Sequence, residues 1–131
     1  GTLGEVLLIP TKLYVKGSVA ALKADAVSAL AHITGGGLTE NLPRVLPDEM
    51  GAEINLDAWD LPPVFKWLAA TGGMAQAELL KTFNSGVGMI AVVPKDKVAA
   101  AIEAFATDGH AAFEIGHVTE GEGVQYKGAL L

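Results

Sequence analysis

The sequence contains no cysteine. That absence removes disulfide scaffolds, thiolate-bound zinc, iron–sulfur clusters and thiol nucleophiles at once. Aromatic residues contribute only 6%, so the core must come from small and aliphatic side chains in close-packed layers, as in α/β proteins. Basic residues are scarce: nine Lys and Arg stand against fifteen Asp and Glu, a formal net charge of −6. Such a balance lacks the electrostatic footprint of a nucleic-acid binder and the basic amphipathic face of a membrane-surface helix. No apolar run nears the ~18 residues of a membrane span. The opening Gly1–Pro10 has no charged leader, so neither a span nor a signal peptide is expected. The chain starts without Met, which suggests a processed or excised part of a longer cytoplasmic protein.

Half of the 131 residues are apolar and mean hydropathy is +0.38, which excludes intrinsic disorder. The length suits a single domain over residues 1–131. The pattern alternates short apolar strands with helical stretches, and no repeat is present. Leu13 and Val15 alternate with Lys12, Tyr14 and Lys16 as a half-buried first strand. Ser18 is the expected N-cap of a helix running to about Leu30, with Val19, Leu22 and Ala26 on its inner face. Ala31 to Thr34 reads as a buried strand, and Leu38 to Leu42 as a short helix ended by Pro43. A further strand is expected over Glu53–Leu56. Pro62-Pro63 opens a helix closed by Gly72-Gly73, and a shorter helix follows around Leu79. Gly88 to Val93 reads as a central strand covered on both faces. Val98, Ile102 and Phe105 stripe the last helix, with Asp96 as its cap. Phe113 and Ile115 mark one strand, and Val124–Lys127 an edge strand. The expectation is an α/β fold of the α+β sandwich type, a mixed sheet covered by helices.

The strongest chemical signal is His32-Ile33-Thr34-Gly35-Gly36-Gly37-Leu38-Thr39-Glu40-Asn41. Three glycines between a strand and a helix let an anion approach the backbone amides closely. A tight turn would need only one of them. No Lys-Ser/Thr pair follows, so this is not a P-loop, and the residues alone indicate a phosphate-like anion. His32 is a ligand candidate or an ordinary core histidine. In Asn84-Ser85-Gly86-Val87-Gly88 the alternating glycines indicate close backbone approach, by a ligand or by another strand. Asn84 is the better site candidate there, because no His or Lys lies nearby to activate Ser85. His32, His110 and His117 fall on different elements without metal-ligand spacing, so no metal site is expected. Trp59 and Trp67 read as core.

These motifs, in this order, resemble the C-terminal half of the phosphoribosylformylglycinamidine cyclo-ligases, or aminoimidazole ribonucleotide synthetases. The matching runs are Leu7–Lys16, His32–Pro47, Pro62–Leu68 and Thr82–Met89. Lys12, Leu13 and Ser85 depart conservatively from the Arg, Ile and Cys expected there. The resemblance implies a two-domain enzyme of purine biosynthesis that uses ATP and Mg²⁺. It closes formylglycinamidine ribonucleotide into aminoimidazole ribonucleotide, releasing ADP and phosphate. It further implies that the nucleotide and magnesium ligands, and the main contact of a homodimer, lie mostly in an N-terminal domain, the partner of this chain. Residues 1–10 would then join the two domains. On this reading Thr34, Gly35, Gly36 and Gly37 bind substrate or product phosphate. His32, Asn41 and Asn84 are weaker cleft candidates, and Arg44 is either a phosphate partner or an exposed ion-pair residue. The catalytic residues are not identified. A paralogous ATP-dependent enzyme of the same superfamily and a stand-alone small-molecule-binding module are the competing readings.

Overall fold

A computed structural model describes all 131 residues. The chain builds six α-helices and five strands, and the strands form two sheets. In the first sheet, β1 (Ala29–His32) pairs antiparallel with β3 (Met89–Val92), placing His32 opposite Met89 and Ala31 opposite Ile90. In the second, β2 (Met50–Asn55) lies between β4 (Gly116–Glu120), antiparallel to it, and β5 (Gly123–Lys127), parallel to it. Only Gly121 and Glu122 carry the chain from β4 across the start of β2 to β5. That crossing is tight enough that a Cβ at Gly51 would run into the carbonyl oxygens of Gly121 and Gly123.

Two apolar cores hold these layers. The larger gathers Ile33, Leu38, Leu42, Ile54, Leu56, Leu79, Leu80 and Ile90 between the sheets and the helices α3 (Gly37–Asn41) and α5 (Gln76–Thr82). The smaller, Ala21 with Ala104 and Phe105, joins α2 (Val15–Lys23) to α6 (Val98–Ala106). Small residues set that contact: a Cβ at Gly17 would sit 2.8 Å from the Phe105 ring. Helix α4 (Pro63–Gly72), which buries Ala69 in the larger core, starts on Pro63 and ends on Gly73 in a left-handed conformation, as its sequence signals require. α1 (Leu3–Leu7) is closed by a capping box between Thr2 and Glu5 and buries none of its residues.

The mixed three-stranded sheet, the α4, α5 and α6 helices and the β5 edge strand agree with the sequence reading. Other elements differ. Lys12–Lys16 is not a strand; helix α2 begins at Val15 and ends at Lys23, well short of Leu30. Its buried face is Gly17 and Ala21, whereas Val19 and Leu22 are exposed. Packing against the bulky Phe105 selects the small side chains of the helix, not the large ones. Ser18 lies inside the helix with its hydroxyl unpartnered, and Asp96 does not cap α6, which starts from Lys97. β3 has one strand neighbour rather than two. Phe113 and Ile115 precede β4, and of the two only Ile115 bonds a strand, its carbonyl accepting from Asn55 of β2. Trp59 packs on the core, but Trp67 is 42% exposed.

Candidate functional site

The glycine loop runs from the end of β1 into α3, and its shape is set from below. Gly37, with a positive φ of 61°, lies against the carbonyl oxygens of Leu80 and Phe83, where any Cβ would collide with backbone. Gly36 has φ 100°, a left-handed conformation in which a Cβ would fall 2.6 Å from a Glu40 carboxylate oxygen. Gly35 has no such reason to be glycine: nothing lies within 4 Å of the position its Cβ would take. The structure therefore accounts for two of the three glycines by local geometry and leaves Gly35 facing open space.

Asn41 is the inner clasp of this loop. Its side chain is buried, and its Nδ2 donates to the carbonyl oxygens of Gly37 at 2.8 Å, Gly35 at 3.1 Å and Thr34 at 3.2 Å. The Thr34 hydroxyl donates to Asn41 Oδ1 at 3.3 Å. With the carbonyls turned inward to Asn41, the amides of Thr34, Gly35 and Gly36 have no partner in the protein. Below α3, the hydroxyls of Thr39 and Tyr126 share a hydrogen bond of 2.8 Å. Burial raises the Tyr126 pKa above the usual phenol value, and the Thr39 bond opposes this in part. The loop is thus an exposed set of free N–H groups on a rigid mount, suited to an anion's oxygens.

His32 is exposed at the end of β1, and the edge of its ring approaches Tyr14 with centroids 6.0 Å apart. The other neighbour of Tyr14 is His110, at 5.0 Å. His110 Nε2 lies 3.0 Å from the Leu13 carbonyl oxygen and 3.1 Å from Asp108 Oδ2, and that same carboxylate oxygen accepts from the Gly17 amide at 2.9 Å. Both contacts of Nε2 are to acceptors, so this nitrogen carries the proton. Burial raises the Tyr14 pKa, and its hydroxyl rests where a Cβ at Gly88 would be. Gly88 therefore makes room for Tyr14, and Gly86 for Pro62, rather than for a ligand or a strand. Sequence reading missed Asp108 and His110 as partners of residues 13–17. Only the Asp-Gly-His spacing after α6 marks them, and their partners lie more than ninety residues away.

The other sequence-predicted residues fall as follows. Asn84 accepts the Gly86 amide through Oδ1 at 2.9 Å and so shapes the turn into β3. Arg44 is exposed and forms no ion pair. Thr34, Gly35, Gly36, Gly37 and Asn41 come together in one loop with His32 at its start, whereas Asn84 belongs to a separate turn. A cavity of about 620 Å³ opens elsewhere, between β3 and residues 110–118, with Tyr14 and His110 in its wall. No three His, Asp or Glu side chains converge as metal ligands, and no helix is long and apolar enough to cross a membrane.

A solved structure similar to this chain is described as the crystal structure of E. coli HypE. It superposes with a TM-score of 0.66 over 96% of this chain at 22% identity, and the match covers 41% of that protein. The chain thus spans about two-fifths of the length of this structural relative, and the likeness establishes the fold. Residues 1–128 match the family described as AIR synthase related protein, C-terminal domain. The chain belongs to that family.

Proposed function

We propose that this chain is the C-terminal domain of an ATP-dependent cyclo-ligase that converts formylglycinamidine ribonucleotide to aminoimidazole ribonucleotide, and that its glycine loop receives the ribonucleotide phosphate. The observation that carries the loop assignment is the row of unpartnered amides at Thr34, Gly35 and Gly36, with the carbonyls of Thr34 and Gly35 held inward by Asn41. Family membership and the motif string from Leu7 to Met89 support the choice of reaction. The residues present do not fit a magnesium site, since no acidic cluster forms. ATP and Mg²⁺ would be held by a partner domain of a longer, cytoplasmic, homodimeric enzyme. In that arrangement the 131 residues alone fold but have no ligase activity, and ATP-dependent product formation by them alone would overturn it.

Gly35→Val in the full-length enzyme is the decisive variant, because Gly35 needs neither a positive φ nor close packing. Losing hydrogen bonds to a charged phosphate costs about 1.5–3 kcal/mol. The Michaelis constant for the ribonucleotide should therefore rise roughly ten- to hundredfold while the melting temperature stays put. Unchanged kinetics would remove the loop from the substrate site. A parent enzyme that turns over ATP but never this ribonucleotide would indicate a paralogous reaction.

A further inference from the structure

We propose that residues 111–115 form a strap that closes on the free edge of β3, pairing with it as a strand and joining the two sheets into one. The closed sheet would run β1-β3-β4-β2-β5. Four observations carry this, independently of the ligase reading. β3 is hydrogen-bonded to β1 alone, so every second residue of its opposite edge presents an unpaired N–H and C=O. Across the cavity of about 620 Å³, lined by Gly86–Val93 on one wall and His110–Val118 on the other, Ala111 to Glu114 make no backbone hydrogen bond either. Two complementary, unpaired backbones thus face one another over an apolar gap, an arrangement that strand pairing resolves.

The side chains of the two segments also alternate in the same phase. In β3, Ile90 and Val92 face the large core and Ala91 the small one. In the strap, Ile115 packs on the large core and Ala112 on the small one. Odd-numbered strap residues thus match the even-numbered face of β3, as two neighbouring strands of one sheet require. Phe113, 46% exposed as the strap now stands, has the parity of Ile115 and would turn to the large core. Both strap ends are already fixed. His110 is held by Leu13 and Asp108, while Gly116 opposes Ile54 and the Ile115 carbonyl accepts from Asn55 at 2.7 Å. Closure therefore moves a handful of residues, adds little loop-ordering cost, and removes an apolar cavity from water.

The test is NMR of this 131-residue chain in dilute solution. Cross-strand contacts between 89–92 and 111–115, with amide exchange slowed at least about tenfold relative to an open loop in the strap and at the β3 amides that face away from β1, are the expected result. The protection should not depend on protein concentration. Free exchange in the strap and at the β3 amides that face away from β1, or protection that appears only as concentration rises and a second copy supplies the strand, overturns the proposal. Phe113→Pro and Glu114→Pro then distinguish pairing from general stiffening. Successive amides of a strand point to opposite sides, so only one of the two variants removes a donor to β3. That one should lose protection at Met89–Val92 much more than the other, with the β2–β4 ladder unchanged as the folding control. Equal effects of the two variants, or none, refute a paired strap.

Discussion

At the scale of single residues, Asn41 shows how a polar side chain can define a functional loop without facing a ligand. Its amide donates to the carbonyls of Thr34, Gly35 and Gly37, of which Thr34 also accepts from the Gly37 amide at 2.9 Å. Asn41→Ala removes three bonds and leaves the Gly35 carbonyl without a partner beneath the loop, so a loss of about 1–3 kcal/mol is expected in urea unfolding; a loss below ~0.5 kcal/mol would show that water replaces the side chain. The glycines separate in the same way. Gly37→Ala forces a Cβ into the Leu80 and Phe83 carbonyls at a positive φ and should lower stability sharply, whereas Gly35→Ala should leave it within ~0.5 kcal/mol. A pH effect belongs here too. Tyr14 and Tyr126 have raised pKa values because burial disfavours the phenolate. The stability this provides is fully present below the unfolded phenol value near ~10 and is lost as pH rises through the higher folded values. Melting temperature should fall in that alkaline window, and Tyr126→Phe should make the fall shallower; an identical slope in the variant would assign it to other groups.

At the scale of elements, helix α2 illustrates what hydropathy alone misjudges. Its largest apolar side chains, Val19 and Leu22, are on the outside, while Gly17 and Ala21 touch α6. Ala21→Leu should therefore destabilise the protein by overpacking, by about 1–3 kcal/mol, and Leu22→Ser should change it little. Calorimetry on the two variants would decide, and the reverse ranking would restore the periodic face. The elements legible in the sequence are those with local punctuation: α4 between Pro63 and Gly73, α5, α6 and the glycine loop, whereas the strand expected over Ala31–Thr34 lies two residues earlier, at Ala29–His32. Those that were not legible depend on distant residues. The segment before α2 is held by Asp108 and His110, so its alternation of Leu13 and Val15 did not make it a strand. Similarly, the glycine run was readable as a candidate loop, but the division between Gly36 and Gly37, demanded by the fold, and Gly35, left open, depends on α5 and on Glu40 in three dimensions.

At the scale of the whole molecule, apolar surface is distributed unevenly. The large core packs on the second sheet, yet Leu7, Leu8, Ile9, Leu13, Val15 and Leu22 are all exposed, Leu8 at 82% and Ile9 at 70%. They lie on α1, the segment after it and the outer face of α2, all within the first 22 residues, and α1 has no buried residue to anchor it. A run of this kind marks a contact surface rather than a normal solvent face. The net charge of −6 opposes association, but charge acts over a Debye length of about 10 Å at 0.1 M salt, so raising the salt weakens that repulsion while leaving apolar contact intact. The 131-residue chain should therefore self-associate more strongly as salt increases, and Leu8→Ser with Ile9→Ser should reduce association without lowering the melting temperature, since neither residue contributes to a core. Sedimentation velocity over a range of salt concentrations measures this directly. A wild-type chain that stays monomeric at high salt and high concentration would mean that these side chains are tolerated singly by water, and that the surface has no partner to receive.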